Sequence, residues 1–581
     1  MKKPAILTIC LFAFLGISWP HPARATGPEG FPPETCFISG VVQNAHRDPV
    51  PEVRIRVLID GQPRQLSPIG EKETFEAKTS SHGTFQLRFA LPPGTPENQE
   101  ITVEAEKTGY RTTASSLAKR DLASKDGNFY AVVNLGLSRA LGTAFYVATA
   151  IFLLTYILIS FEILHRTLAA LFGAGAMLLI TYTAGTLFPD YHIISFERAV
   201  GAIDMNVIFL LMGMMIIVGI LKNTGVFQWC AYQSYRVARG RVTVLSMIFC
   251  FFVAFTSAFL DNVTTMLLFT PVTIEISLAL KISPLILLLP EVMASNIGGT
   301  ATLIGDPPNI MIGSYAGLDF MAFVKNLTLV CIVAAVALAI YNRYYYRREY
   351  SGGRIENPAA FLARLKEECR ITDRAMLSVG LVITGLVIAL FITHGYWHMP
   401  VSIPALFGAG ALFIYAVLSN KVKMLDLIEK DIEWSTLLFF MFLFIVVGAV
   451  EETGLLAVIS DAVLRFSQGN LTVAICLILW VSAIMSAFID NIPFVATMLP
   501  ITAYLSREIP GAESHVLWWA LALGACLGGN GTLIGASANV VTMGIAEKAG
   551  HPIRFLDFMK YAFPYMLISV AICNVWLLIF Y

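Results

Sequence analysis

The sequence predicts a polytopic all-α membrane protein made of two inverted-topology repeats, each with a re-entrant hairpin and a broken helix, behind a small exported β-sandwich. Three observations carry this prediction. Of 581 residues, 56% are hydrophobic and only 14% charged, against about 25% charged in soluble chains. Period-2 alternation is confined to roughly the first 137 residues. Beyond it, one series of apolar segments is written twice. Lys+Arg and Asp+Glu both number 40, so no basic field points to nucleic acid, and the hydropathy excludes disorder.

Residues 1–25 read as a signal peptide. Lys2 and Lys3 precede the apolar run Ala5–Ile17, and Ala23-Arg24-Ala25 offers a small-x-small cleavage site. The run is shorter than the roughly 20 residues a span needs. From 26 to 137 the chain reads as an exported β-sandwich of about seven strands. Val53, Ile55 and Val57 alternate with charged neighbours, as do Phe85, Leu87 and Phe89, and Ile101, Val103 and Ala105. Asp60-Gly61 marks a hairpin. The stretch Ile38-Ser39-Gly40-Val41-Val42 with Gly109-Tyr110 resembles carboxypeptidase regulatory-like domains, which implies binding or tethering. Cys36 stands alone among these residues, leaving no internal disulfide, and no C-x-x-C spacing occurs anywhere.

The membrane region divides into a first repeat, 138–342, a basic cytoplasmic linker, 343–374, and a second repeat, 375–581. Ala170-Leu171-Phe172-Gly173-Ala174-Gly175-Ala176 recurs 235 positions on, from Ala405 to Ala411. Gly219, Thr224 and Gly225 recur 229 positions on as Gly448, Thr453 and Gly454. Ser257-Ala258-Phe259-Leu260-Asp261-Asn262 recurs at the same offset as Ser486-Ala487-Phe488-Ile489-Asp490-Asn491. Such offsets mean duplication. The arginines of the linker, among them Arg343, Arg347, Arg348 and Arg354, place it inside. That agrees with an extracytoplasmic N-terminal domain on a cell (inner) membrane protein. Reading 242–280 and 471–506 as re-entrant hairpins leaves five crossings per repeat, an odd number, so the second copy is inverted.

Each hairpin tip carries an acidic residue and an amide. Asp261-Asn262 is followed by Thr264 and Thr265, and Asp490-Asn491 by Thr497. One reading is an N-cap. The other is ion or proton handling, because a carboxylate at membrane depth is costly unless it faces a cavity. The two coexist. The next segment breaks in both copies. Gly299, Thr300, Gly305, Asp306 and Asn309 lie in the first break, and Gly529, Asn530, Thr532, Gly535, Ser537 and Asn539 in the second. Unwound backbone at membrane depth must line a cavity or be buried in protein; its carbonyls then suit Na⁺, and its half-helix N-termini suit an anion. Asp261, Asn262, Asp490 and Asn491 are the candidate Na⁺ ligands. Asp306 has Ala536 as its counterpart and Asn296 has Cys526. Glu291 either lines the pathway or pairs with a neighbour. Trp518-Trp519 read as an outer aromatic belt.

The stretches Phe259–Val272 and Gly528–Val541 resemble the melanosomal P protein-like members of the ion transporter superfamily, which also holds arsenite permeases, Na⁺/H⁺ antiporters and citrate-dicarboxylate carriers. The resemblance covers roughly 140–581. It implies a homodimer with a scaffold part and a moving part, elevator-type alternating access, and secondary transport with Na⁺ or H⁺ as coupling ion and no other cofactor. A small inorganic or organic anion is the expected substrate. The carriers' Ser at each tip is replaced by Asp261 and Asp490, which sets a dicarboxylate in doubt. An Na⁺/H⁺ antiporter or an ion channel is the alternative. An intramembrane aspartyl protease is remote, since Leu303-Ile304-Gly305-Asp306 lacks the first Gly of the Gly-x-Gly-Asp context. No Gly-Lys-Ser/Thr loop for ATP occurs, and the chain is not expected to be an enzyme.

Overall fold

The computed structural model describes residues 35–44, 49–50, 53–68, 74–80, 82–91, 99–107, 110–125, 128–137, 141–161, 163–239, 241–351, 366–367, 369–419 and 427–581. The signal peptide at 1–25, Gly109 and much of the linker lie outside them. The chain forms two compact units, divided after Ser138.

In the first unit two sheets enclose one core. Thr35–Asn44 runs antiparallel to Thr84–Ala90 and parallel to Asn128–Val132. Arg54–Ile59 pairs antiparallel with Glu100–Glu106, setting Val57 opposite Val103. Eleven strands appear among the described residues, where about seven were expected. The excess comes from two- and three-residue edge pieces, too short for alternation to reveal. The three alternating triplets all point inward. Asp60 and Gly61 have φ of 50° and 78°, the left-handed pair that a two-residue hairpin turn requires.

The second unit is helical. Among the described residues nine helices are long and apolar enough to cross a bilayer, and four apolar helices are shorter. Their order recurs. Met205–Lys222, Val226–Ala238, the arms Val242–Ser257 and Asn262–Ala279, the broken pair Leu285–Thr300 and Pro307–Ala316, and Phe320–Tyr345 follow one another. Trp434–Thr453, Leu455–Ser467, Leu471–Phe488 and Asn491–Glu508, Val516–Gly528 and Ser537–Lys548, and Phe555–Phe580 do the same.

The repeated motifs prove to be packing devices. A Cβ on Gly173 would overlap Thr155, and one on Gly408 would overlap Val387. In each copy this glycine lets its helix lie against the one before it, Thr143–Ser160 or Arg374–Thr393. Gly225 and Gly454 adopt φ of 77° and 98°, conformations that favour glycine. Each stands between a spanning helix and a short amphipathic one.

Helices sort into two bundles by their contacts. The first holds Thr143–Ser160, Arg166–Tyr182, Met205–Lys222, Arg374–Thr393, Ser402–Leu418 and Trp434–Thr453. The second holds the paired arms, the broken helices and the two 26-residue closing helices. Within the second bundle Leu285–Thr300 lies on Val242–Ser257, and Val516–Gly528 on Leu471–Phe488. A Cβ on Gly298 would strike the Ala254 backbone and one on Gly528 the Ala483 backbone, so glycine permits each contact. Trp518 and Trp519 are buried there, Trp519 edge-on to Phe323 at 5.2 Å. The aromatic-belt expectation is therefore corrected: both side chains are covered by protein and not by lipid.

Candidate functional site

The two arm tips and the two breaks meet at one cavity on the seam between the bundles. Asp261, Asn262, Asp306, Asn491 and Ser537 line it from the second bundle. Arg166, Leu211, Met215, Glu433 and Thr436 line it from the first. Its volume is about 30 Å³, room for one water-sized body. Four helices begin at its wall, at Asn262, Pro307, Asn491 and Ser537, and each N-terminus brings a partial positive charge.

Both tip aspartates cap their helices. Asp261 Oδ1 accepts from the Thr264 amide at 2.9 Å, and Asp490 Oδ1 from the Ile492 amide at 3.0 Å. Asp490 keeps Oδ2 for other work: Ser537 Oγ donates to it at 2.9 Å and Arg166 stands 3.5 Å away. Arg166 also donates to Ser537 Oγ and, at 3.1 Å, to Thr436 Oγ1, with its guanidinium 5.3 Å over the Phe439 ring. Asp306, 2% exposed, has Asn491 Nδ2 at 3.4 and 3.5 Å from its two oxygens.

Each break forms a cradle of oxygens. A Cβ on Gly299 would overlap Asn262 Oδ1 and meet Gly305 O at 2.7 Å. One on Gly305 would meet Ser257 O at 2.6 Å and Gly299 O at 2.7 Å. In the second copy a Cβ on Gly529 would meet Gly535 O at 2.9 Å, and one on Gly535 would meet Gly529 O, Ser486 O and Ala487 O at 2.7, 2.9 and 3.1 Å. Carbonyls gathered by glycine around a space a methyl group would fill suit a hard cation such as Na⁺.

The remaining polar groups brace these cradles. Asn309 Nδ2 donates to Gly299 O, Thr300 O and Thr302 O, and Asn539 Nδ2 to Gly529 O and Thr532 O. Thr300 Oγ1 bonds back to Asn296 O, and Thr532 Oγ1 to Ala487 O. Asn530 Oδ1 accepts from Asn296 at 2.9 Å, which ties the two breaks together.

Thr264, Thr265 and Thr497 stand apart from the cavity. Thr264 meets Asp261 through its amide, Thr265 is buried in the arm, and Thr497 joins Tyr156 of the first bundle. Glu291 is fully buried, with both carboxylate oxygens on the Thr273 hydroxyl at 2.9 and 3.1 Å; it pairs with a neighbour and does not line the cavity. Arg166, Glu433 and Thr436 escape a reading of the sequence because they sit at segment ends, where charge is ordinary. One signal was available: an arginine opening a helix opposes the helix dipole.

The citrate transporter family pattern matches residues 156–524. An uncharacterized transporter of Mycobacterium tuberculosis is 42% identical over 433 residues, covering 74% of this chain and 97% of the relative. The human P protein is 36% identical over 508 residues, covering 74% of this chain and 59% of P protein, so the chain spans about three fifths of that relative. Among solved structures, the Alcanivorax borkumensis YdaH transporter aligns with TM-score 0.49 and 14% identity, over 71% of this chain and 98% of that one.

Proposed function

We propose, from the premise that this chain belongs to the citrate transporter family and is a multi-pass membrane transporter, that it is a secondary carrier of a small anion driven by Na⁺ or H⁺. The observation that carries the reading is the pair of matched oxygen cradles beside one cavity on a seam between two bundles. Na⁺ occupies the cradles in this reading. The carboxylates of Asp261, Asp306 and Glu433 at the cavity favour H⁺ as the second reading. Four helix N-termini and Arg166 supply the positive potential an anion needs.

The repeats are inverted, the paired arms are re-entrant, and the second bundle moves against the first as an elevator. Contacts such as Tyr156 to Thr497 and Arg166 to Asp490 then break and re-form with each cycle. A homodimer and an extracytoplasmic β-sandwich that binds or tethers complete the reading. The family description names citrate. The cavity in this conformation has room for a single anionic group, not for a whole tricarboxylate.

The test is tracer flux into proteoliposomes under a Na⁺ gradient, a pH gradient or neither. Saturable flux that follows one gradient is the expected result. Flux without saturation or gradient dependence identifies a channel, and exchange of Na⁺ for H⁺ alone identifies an antiporter. Full flux in an Asp261→Asn/Asp490→Asn double variant sinks the site.

A further inference from the structure

The cradles are matched between the two halves of the chain, but the surroundings of the tip aspartates are not. Ser537 opens the half-helix beside Asp490, and its counterpart in the first half is Pro307, which has neither a hydroxyl nor an amide proton. Among the described residues, Arg166 is the cation lining the cavity, and it lies on the Asp490 side.

We propose that Arg166 and Ser537 form an anion subsite that Asp490 Oδ2 fills in this conformation, with Thr436, whose hydroxyl donates to Glu433 Oε2 at 3.1 Å, holding Arg166 in place. The inference rests on the transport reading and deepens it. The geometry is a relay. Arg166 donates to Ser537 Oγ, and Ser537 Oγ in turn donates its hydroxyl hydrogen bond to Asp490 Oδ2. Arg166 also reaches Thr436 Oγ1 and lies over Phe439, so its head group is fixed from the first bundle. The 12-residue Ser537–Lys548 helix turns its positive end to the same point. Asp490 keeps its capping bond through Oδ1, so Oδ2 can leave without unwinding the helix. The contact between Oδ2 and Arg166 is long, 3.5 Å, against about 2.7–2.9 Å for a tight charge-assisted bond. It is displaceable.

The ligand is one compact anionic group. A halide-sized ion and the carboxylate of a longer molecule share that chemistry. Binding an anion here releases Asp490 toward the cavity, where Asp306, Asp261 and Glu433 face it. Its neutralisation by a coupling cation or proton then completes the exchange. Anion entry and cation entry are coupled through this one carboxylate.

The test is anion binding to the purified full-length protein in detergent, read by thermal shift. Sodium halide, acetate and citrate are titrated against sodium isethionate, which carries no carboxylate, at constant Na⁺ and ionic strength. The halide and acetate arms separate a free ion from a carboxylate head. Arg166→Gln is expected to weaken binding at least about tenfold, and Arg166→Lys less, since a point charge replaces the fork. Asp490→Asn, which still caps, is expected to tighten binding several-fold. In the Arg166→Gln background, Asp490→Asn is expected to add nothing. Unchanged binding in Arg166→Gln overturns the subsite, as does weaker binding in Asp490→Asn or no saturable response to any anion. Flux that fails in proteoliposomes while this cycle holds removes the transport reading alone.

Discussion

Asn296 Nδ2 stands 3.1 Å from Asn539 Oδ1, although 243 positions separate the two residues. The same amide reaches Asn530 Oδ1 at 2.9 Å. One side chain from the first break thus holds the second break through two bonds. Its counterpart, Cys526, returns a weaker contact to Asn309 Oδ1 at 3.6 Å.

Asn296→Ala removes both donors and leaves two buried carbonyl oxygens without that partner. The expected cost is about 1–3 kcal/mol, read as a lower melting temperature in detergent. Cys526→Ala is expected to cost less, because a thiol is a weak donor. Equal losses in the two variants would show that the bond chemistry does not matter at this crossing.

Neighbouring glycines are expected to fail in different ways. Gly298→Ala drives a methyl group into the Ala254 backbone, so the packing of two helices is lost and the protein unfolds at lower temperature. Gly299→Ala and Gly535→Ala instead push a methyl group into the oxygen cradles. Their methyl groups also meet backbone oxygens at 2.7–2.9 Å, so melting temperature falls here too; the distinguishing outcome is Na⁺-dependent thermal stabilisation reduced at least about tenfold in apparent affinity, against an unchanged Na⁺ response in Gly298→Ala. Retained Na⁺ stabilisation in both would remove Na⁺ from the cradles.

The parts of the fold that repeat were legible, because a duplicated constraint leaves a duplicated motif. Asp261 and Asp490, the paired breaks, and the glycines that now prove to be packing or capping positions were all visible that way. Arg166 and Glu433 were not. Each opens a helix at a segment end, and each meets the cavity only when one bundle is laid against the other. Trp518 and Trp519 misled because an aromatic pair near a segment end has the same local pattern whether lipid or protein covers it. The strands Gln62–Pro63 and Ala77–Lys78 span a single period of alternation, so no repeating pattern can announce them.

Glu291 is a carboxyl group in the interior of the second bundle whose hydrogen-bond partner among the described residues is Thr273. Thr273→Val keeps the shape and removes the hydroxyl, at an expected cost of about 1–3 kcal/mol for the orphaned group. Thr273→Ser is expected to be nearly neutral. Adding Glu291→Leu to Thr273→Val is expected to recover part of the loss, since a pair of apolar groups leaves nothing unsatisfied. A melting-temperature series over these variants checks the order.

Cys36 tests the β-sandwich without reference to the membrane. It is fully buried between the sheets, and burial pushes its thiol from the ordinary 9.0 up to about 12. The thiolate is the reactive form, so at pH 7.5 the folded domain presents about a thousandfold less of it than the unfolded chain. Maleimide labelling, followed by mass spectrometry of the Cys36 peptide, is expected to show no modification in the native protein and full modification in denaturant. The sign for stability follows. The unfolded thiol ionises above about 9 while the folded one stays neutral, so the contribution is intact below 9 and is lost as pH rises toward about 12. Rapid native labelling at pH 7.5 would mean that the strand Thr35–Asn44 is not held in the sheet.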